Sequence, residues 1–398
     1  MLTRRNALAL APAAALGIAA GRRARAQSFP PGVTATTIKI GQTMPYSGPA
    51  SAYGTIGRSH AAYFRTVNKA GGINGRQIEF VSLDDGYSPP KTVEQTRRLI
   101  EQEQVSFIFA PLGTPTSVAT RKYLNDKKIP QLFIGSGATF WGDQKSFPFS
   151  MGWAPTYSAE GAAYAEWLIR TKPSARLAMM GQNDDSGRDY MDGCTRGFGD
   201  KAAQMIALRT TYEVTDPTLD SQIVAAKQSG ADTLLLASNP KFSALGIRKV
   251  YEMGWKPTFF LSSTGTSVAS AIRPAGFEKA QGIISAFYLK DPNDEEWASD
   301  EGVRGYFAWM KSDFPDGDAA DLSNVYGYST AQTIVQVLTQ CGNDLSRENI
   351  MRQAENLNFP LPLLLPGSKI TTSATDHYPI EKFQMAQFDK ERWKLMPA

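Results

Sequence analysis

The stretch Ile38-Lys39-Ile40-Gly41 is a short extended apolar run, and it opens into Gln42-Thr43-Met44-Pro45-Tyr46-Ser47-Gly48-Pro49-Ala50-Ser51-Ala52-Tyr53-Gly54. A helical stretch from Thr55 to Lys69 follows, closed by Ala70-Gly71-Gly72-Ile73-Asn74-Gly75-Arg76. A second strand, Gln77 to Leu83, then runs into Asp84-Asp85. Glycines and asparagine in the closing turn suit a helix C-terminus and tight reversal, where positive φ is needed. Strand, loop, helix, turn and strand together make the repeating unit of a parallel sheet. The Pro-x-Ser-Gly loop lies at the carboxyl end of the first strand, where open α/β sheets bind ligands.

The same alternation continues. Val105–Ala110, Gln131–Ile134, Arg176–Gly181, Ala207–Val214, Thr233–Ala237, Thr258–Ser262 and Gly282–Ala286 read as short buried strands. Between them, Lys91–Glu103, Thr116–Asn125, Ser158–Thr171, Gly187–Ala202, Leu219–Ser229, Phe242–Met253, Trp297–Ser312 and Leu322–Thr339 read as amphipathic helices. This spacing predicts an α/β fold of parallel sheets covered by helices on both faces. The pattern appears twice, with a seam near Trp153-Ala154-Pro155.

In Ser47-Gly48, Tyr53-Gly54 and Asn68-Lys69-Ala70-Gly71-Gly72-Ile73-Asn74-Gly75 the chain resembles the type I periplasmic binding proteins, in particular the branched-chain-amino-acid type of ABC-importer substrate-binding protein. The likeness runs through most of the chain after the leader. It implies two Rossmann-like lobes joined by a three-crossing hinge, with a ligand cleft between them. Carried over, the crossings fall near Trp153–Thr156, near Ser285–Tyr288 and after Pro366. Lobe 1 then holds 36–153 plus 288–367, and lobe 2 holds 154–287 plus 368–398. It also implies capture by hinge closure, docking of the closed form on a membrane permease, and no cofactor.

Three lobe 1 loops qualify for the cleft: the one holding Ser47, Gly48 and Tyr53; Ala110–Ser117; and Gly135-Ser136-Gly137-Ala138-Thr139. Thr114 precedes a proline at a helix start, where unpaired N–H groups and the helix dipole favour an anion. By resemblance, Thr114, Ala138 and Thr139 grip a ligand carboxylate, with Tyr53 as an aromatic wall. A plain helix cap at Thr114 and a plain loop at Gly135–Thr139 are the structural alternatives.

Lobe 2 departs from the relatives that bind amino acids. They present an acidic residue before glycine after the strand matching Thr258–Ser262, and it holds the ammonium. Here Ser262-Ser263-Thr264-Gly265 puts Thr264 in that place, and Ser186-Gly187 replaces a tyrosine before glycine. An unpartnered buried ammonium costs several kcal/mol. The expected ligand is therefore a small organic carboxylate, aromatic if Tyr53, Phe140, Trp141 and Trp153 line the cleft, with Asn183, Ser186, Asn239 and Thr264 closing over its far side. An amino acid stays open as the alternative, with Asp184 or Asp185 supplying the charge. So does a ligand-sensing role beside a membrane sensor.

Ahead of this body, Thr3-Arg4-Arg5, an Ala-rich apolar run and Ala24-Arg25-Ala26 read as a cleaved export signal at 1–26, by the Sec or twin-arginine route, and predict a periplasmic protein. The full chain carries 42 basic and 38 acidic residues, a net of +4. Without the leader's five arginines, 37 basic residues face 38 acidic, a net of −1. That balance gives no warrant for a nucleic-acid partner. The histidines, His60 and His377, do not stand at metal-ligand spacing with cysteine or acid. No phosphate loop, nucleophile elbow or dinucleotide fingerprint is present, so the sequence predicts neither an enzyme nor a metal site. Cys194 and Cys341 read as unpaired thiols.

Overall fold

The computed structural model describes residues 29–397, so the export-signal reading of 1–26 lies outside the described residues. Strands β1 (Thr37–Met44), β2 (Gln77–Asp84), β3 (Ile108–Phe109), β4 (Gln131–Ile134) and β5 (Ser150–Gly152) form one parallel sheet in the order β2-β1-β3-β4-β5. A second sheet begins with β6 (Leu177–Gln182), β7 (Ile206–Tyr212), β8 (Thr233–Ala237), β9 (Thr258–Leu261) and β10 (Ile284–Phe287). Its parallel part runs β7-β6-β8-β9-β10, which is the first sheet's order repeated. The continuous apolar runs are what a sheet covered on both faces requires: every residue of β4, β8 and β10 is buried.

The chain passes between sheets after β5, after β10 and again near the C-terminus. The first passage leads from Gly152 into the helix Tyr157–Thr171, which packs on the helix Asp185–Phe198 of the second lobe. The second leads through Tyr288–Lys290, paired with Leu361–Leu365 by bonds such as Lys290 N–H to Leu363 O at 2.8 Å. Beyond it the helices Glu301–Asp313 and Leu322–Cys341 return to pack on the helix Gly54–Lys69 of the first lobe.

The last passage falls later than the 367/368 boundary expected from the sequence. A small antiparallel pair, β11 (Asn358–Phe359) with β12 (Ile370–Thr371), precedes it. The imidazole of buried His377 lies 3.0 Å from both Ser150 O and Glu355 Oε1, and Tyr378 donates to Thr139 O at 2.6 Å, so residues 370–378 belong with the first lobe. Only at β13 (Gln384–Asp389) and β14 (Arg392–Leu395) does the chain join the second sheet, as an antiparallel hairpin on β10.

Candidate functional site

A parallel sheet with this order has a switch point where neighbouring connections leave in opposite directions, and ligands collect there. In the first sheet it lies between β1 and β3; in the second, between β6 and β8. Both face one cavity of about 160 Å³ between the lobes. An engineered apolar cavity of about 150 Å³ accepts one benzene ring, which sets the scale of the occupant.

From the first lobe, Tyr53, Leu112, Gly113, Thr114, Ser136 and Gly137 line the cavity. Gly113 has φ +101°, and a Cβ there would come within 2.5 Å of Tyr87 and 2.6 Å of Thr116 Oγ1. The loop after β3 can therefore turn only through glycine. Gly137 has a different reason: its Cβ would stand 2.5 Å from Pro155 O and 2.7 Å from Tyr157, where the first crossing passes. Thr114, 2 % exposed, opens the helix Thr114–Asp126, whose first N–H groups have no intrahelical acceptor. Ser136 Oγ accepts from Trp141 Nε1 (2.9 Å) and Ala138 N (3.2 Å) and lies 2.7 Å from Thr114 Oγ1. With both its lone pairs taken, Ser136 gives its proton to Thr114. The Thr114 hydroxyl proton is thereby free for the cavity.

From the second lobe come Gln182, Ser186, Tyr190, Ser238, Asn239, Ser263 and Thr264. Asn239 caps the helix Pro240–Glu252 with Oδ1, while its Nδ2 is buried without a protein partner. Tyr326 Oη, on the opposite wall, is likewise unpartnered. A buried donor left unpaired costs about 1–3 kcal/mol, so these atoms mark where a bound molecule's polar groups belong.

The wall has a feature of which the sequence pointed only to Tyr53. Seven tyrosines line it: Tyr53, Tyr87, Tyr157, Tyr190, Tyr212, Tyr288 and Tyr326. Burial pushes each hydroxyl pKa above its ordinary value, so all are neutral near pH 7. Among the described residues no Asp, Glu, Lys, Arg or His side chain lines the cavity. Tyr87, Tyr212 and Tyr288 follow or end parallel strands, so applying the strand-end rule to every strand would have found them.

Other expected residues lie elsewhere. Ser47 is exposed and donates to Asp84 Oδ2 at 2.6 Å, because that carboxylate needs donors at its loop. Burial alone would raise the Asp84 pKa, but bonds from Ser47, Gly86 and Lys91 hold it well below the usual carboxylate range. Ala138 is buried against Ile134 and Trp141, its N–H spent on Ser136. Thr139 gives both N–H (2.7 Å) and Oγ1–H (2.8 Å) to Asp189 of the second lobe. Asn183 is exposed and bonded to Glu213 at 2.6 Å. Trp141 and Trp153 are buried core, and Phe140 packs beside Trp141. Asp184 caps the helix Asp185–Phe198 through the Ser186 and Gly187 N–H groups.

The lobes are in contact across the cavity. Tyr53 Oη donates to Thr264 O at 2.8 Å, Ser267 Oγ to Asp321 Oδ1 at 2.8 Å, and the Thr139–Asp189 pair adds a third bridge. Among the described residues no group of three or more His, Cys, Asp or Glu is arranged for a metal ion.

Two lobes joined by three passages of the chain, closed over a cavity lined by uncharged polar and apolar side chains, define a clamp for a small molecule. The family model described as "Periplasmic binding protein" matches residues 37–392, and the chain belongs to that family of ligand-binding proteins. It is similar to "Leu/Ile/Val-binding protein homolog 7" of Brucella abortus, 23% identical over 262 residues, which cover 64% of this chain and 64% of that relative's length. Solved structures share the fold. A branched-chain amino acid ABC transporter protein from Thermus thermophilus with bound valine gives a TM-score of 0.82 at 15% identity, covering 92% of this chain and 96% of that one. A solute-binding protein of an ABC transporter from R. palustris, in complex with benzoate, gives 0.76 at 18%, covering 90% and 95%.

Proposed function

We propose that this chain is the exported, periplasmic ligand-capturing subunit of an ABC importer, and that its ligand is a small carboxylate with an aromatic or otherwise apolar body. The observation that carries the reading is the cavity wall: hydroxyls and amides set among apolar side chains such as Ile56, Leu112, Phe287 and Leu322, and among the described residues no side-chain charge of either sign. A carboxylate can be held by the free Thr114 hydroxyl and the first-turn N–H groups at that helix start. An ammonium opposite it would meet only neutral oxygens, and its lost hydration costs several kcal/mol. The tyrosine rings, Ile56, Leu112, Phe287 and Leu322 supply apolar surface around a volume scaled to one ring. The fold itself leaves the ligand open, since one relative's structure contains valine and another benzoate.

Closure follows from contacts made only in the closed form. A ligand touching both walls favours it by the difference in its affinity for the closed and open states. The closed surface would then dock on a membrane permease. Thermal unfolding with a panel of benzoates, short-chain acids and amino acids tests the assignment, because stabilisation grows with ligand concentration over Kd. A carboxylate without an amino group is expected to raise Tm, and Thr114→Val to remove that shift. Leucine raising Tm while every simple acid fails would overturn the reading.

A further inference from the structure

Behind the second lobe's wall sits a buried carboxylate that the capture mechanism does not use. Glu160, 3 % exposed, lies on the helix Tyr157–Thr171. Its Oε1 accepts from Tyr164 Oη (2.6 Å) and Ser263 N (2.8 Å), and its Oε2 from Ser263 Oγ (2.6 Å) and Tyr190 Oη (3.2 Å). Burial pushes its pKa up, the bonds from Ser263, Tyr164 and Tyr190 pull it back, and as a carboxylate it accepts from all of them. Two of the partners, Ser263 and Tyr190, also line the cavity. Having given their protons to Glu160, they turn only lone pairs to the ligand. The neighbours on this wall are committed the same way: Ser186 Oγ–H to Asp184 Oδ1, and Thr264 Oγ1–H to Ser238 O at 3.0 Å. Asn239 Nδ2 is the contrasting donor there.

The cavity is therefore polarised without carrying a charge: a free donor at Thr114 on one wall, and on the other the acceptors Ser186, Tyr190, Ser263 and Thr264, with the donor Asn239 Nδ2 beside them. We propose that Glu160 is a positioning residue that fixes the second wall as a hydrogen-bond acceptor surface, and that the ligand accordingly carries a hydroxyl donor at the end away from its carboxylate. This rests on the carboxylate reading above. A hydroxyl fits better than an ammonium because the Glu160 charge is already shared among four donors and separated from the cavity by them.

Calorimetric titration with benzoate, 3- and 4-hydroxybenzoate and the matching methoxybenzoates tests it, alongside phenylalanine and leucine. A hydroxyl acid should bind at least about tenfold tighter than its methoxy partner, which blocks the donor and leaves the acceptors unpaired. Glu160→Gln places an amide donor against Ser263 or Tyr190 and frees that hydroxyl proton, so the preference should shrink to within about threefold. A role in folding alone would lower all affinities together and leave the ratio intact, which overturns the proposal. Ser263→Ala, which removes one acceptor and leaves Glu160 in place, should reduce the ratio partway and serves if Glu160→Gln does not fold. Equal binding of hydroxy and methoxy acids by the unaltered protein sinks the inference while sparing the carboxylate assignment. Binding of amino acids alone sinks both.

Discussion

Lowering pH from 7 to 5 sets two buried groups of the first lobe and its margin against each other. His60 is fully buried, with Gln42 Nε2 3.0 Å from its Nδ1 and Thr330 Oγ1 2.8 Å from its Nε2. The Gln42 amide donates, while Thr330 spends its proton on Tyr326 O, so the ring is neutral with its proton on Nε2. Burial pushes its pKa from 6.5 down to about 3. Its contribution is intact above 6.5 and is lost as pH falls towards 3, because only the unfolded chain takes the proton. Between pH 7 and 5 that loss is about 2 kcal/mol. Asp291, 3 % exposed, has the opposite sign. Burial pushes it from 3.8 up to about 6, partly offset by bonds from Asn293, so the folded state binds the proton more tightly. Its contribution is fully present below 3.8 and fades as pH rises through 6. From pH 7 to 5 it adds about 1.3 kcal/mol. Urea unfolding at pH 7, 6 and 5 should separate them. Relative to the unaltered protein, His60→Gln should gain about 2 kcal/mol across that range and Asp291→Asn should lose about 1.3 kcal/mol. The comparison uses slopes, so a constant cost of either substitution cancels, as do the other raised carboxylates common to all three proteins. Slopes for His60→Gln parallel to those of the unaltered protein would refute the neutral, proton-excluding His60.

The remaining predictions concern closure and the thiols. Asp189→Ala removes the acceptor for the Thr139 N–H and hydroxyl across the cleft. Bonds to a carboxylate are worth about 2 kcal/mol, so affinity for whichever compound raises Tm should fall about 30-fold and small-angle scattering should show a more open form. Unchanged affinity would mean that the latch is absent in solution. Cys194 and Cys341 are free and buried, and burial pushes the Cys341 thiol up to about 12 and Cys194 higher. Neither should react with a disulfide reagent at pH 8 until the protein is denatured, and both should react then; absence of thiols after denaturation would show a bridge instead.

The sequence made the architecture legible because parallel sheets covered on both faces leave strong local marks. Gln131–Ile134 and Thr233–Ala237 are each one polar residue followed by an unbroken apolar run, and the strands keep the bounds that the sequence predicts. Strand β5 has only Ser150–Gly152, and the hairpin of β13 and β14 alternates with polar residues; neither stands out from loop sequence. The same contrast governs the site. Which loops reach the cavity follows from strand ends, so Tyr53, Thr114, Gly137, Ser186, Asn239 and Thr264 fell on it. Whether a polar side chain is free once there depends on neighbours distant in sequence.

Thr139 and Ser263 make that dependence concrete. As sequence, each is a hydroxyl in a loop after a parallel strand. Thr139 is taken up by Asp189, 50 residues on, and becomes part of the closure; Ser263 is taken up by Glu160, 103 residues back, yet stays on the cavity wall with its lone pairs outward. A hydroxyl has one proton, so the acceptor that claims it decides what the oxygen can offer a ligand. On the proposed reading, specificity is written one layer behind the wall, in Glu160 and Asp184 rather than in the serines and tyrosines the ligand would touch. The missing acid after β9 is then only half the sequence's message about the ligand. The other half is an acid that is present, set back on the neighbouring helix, where its charge is spent on orienting hydroxyls instead of pairing with a cation.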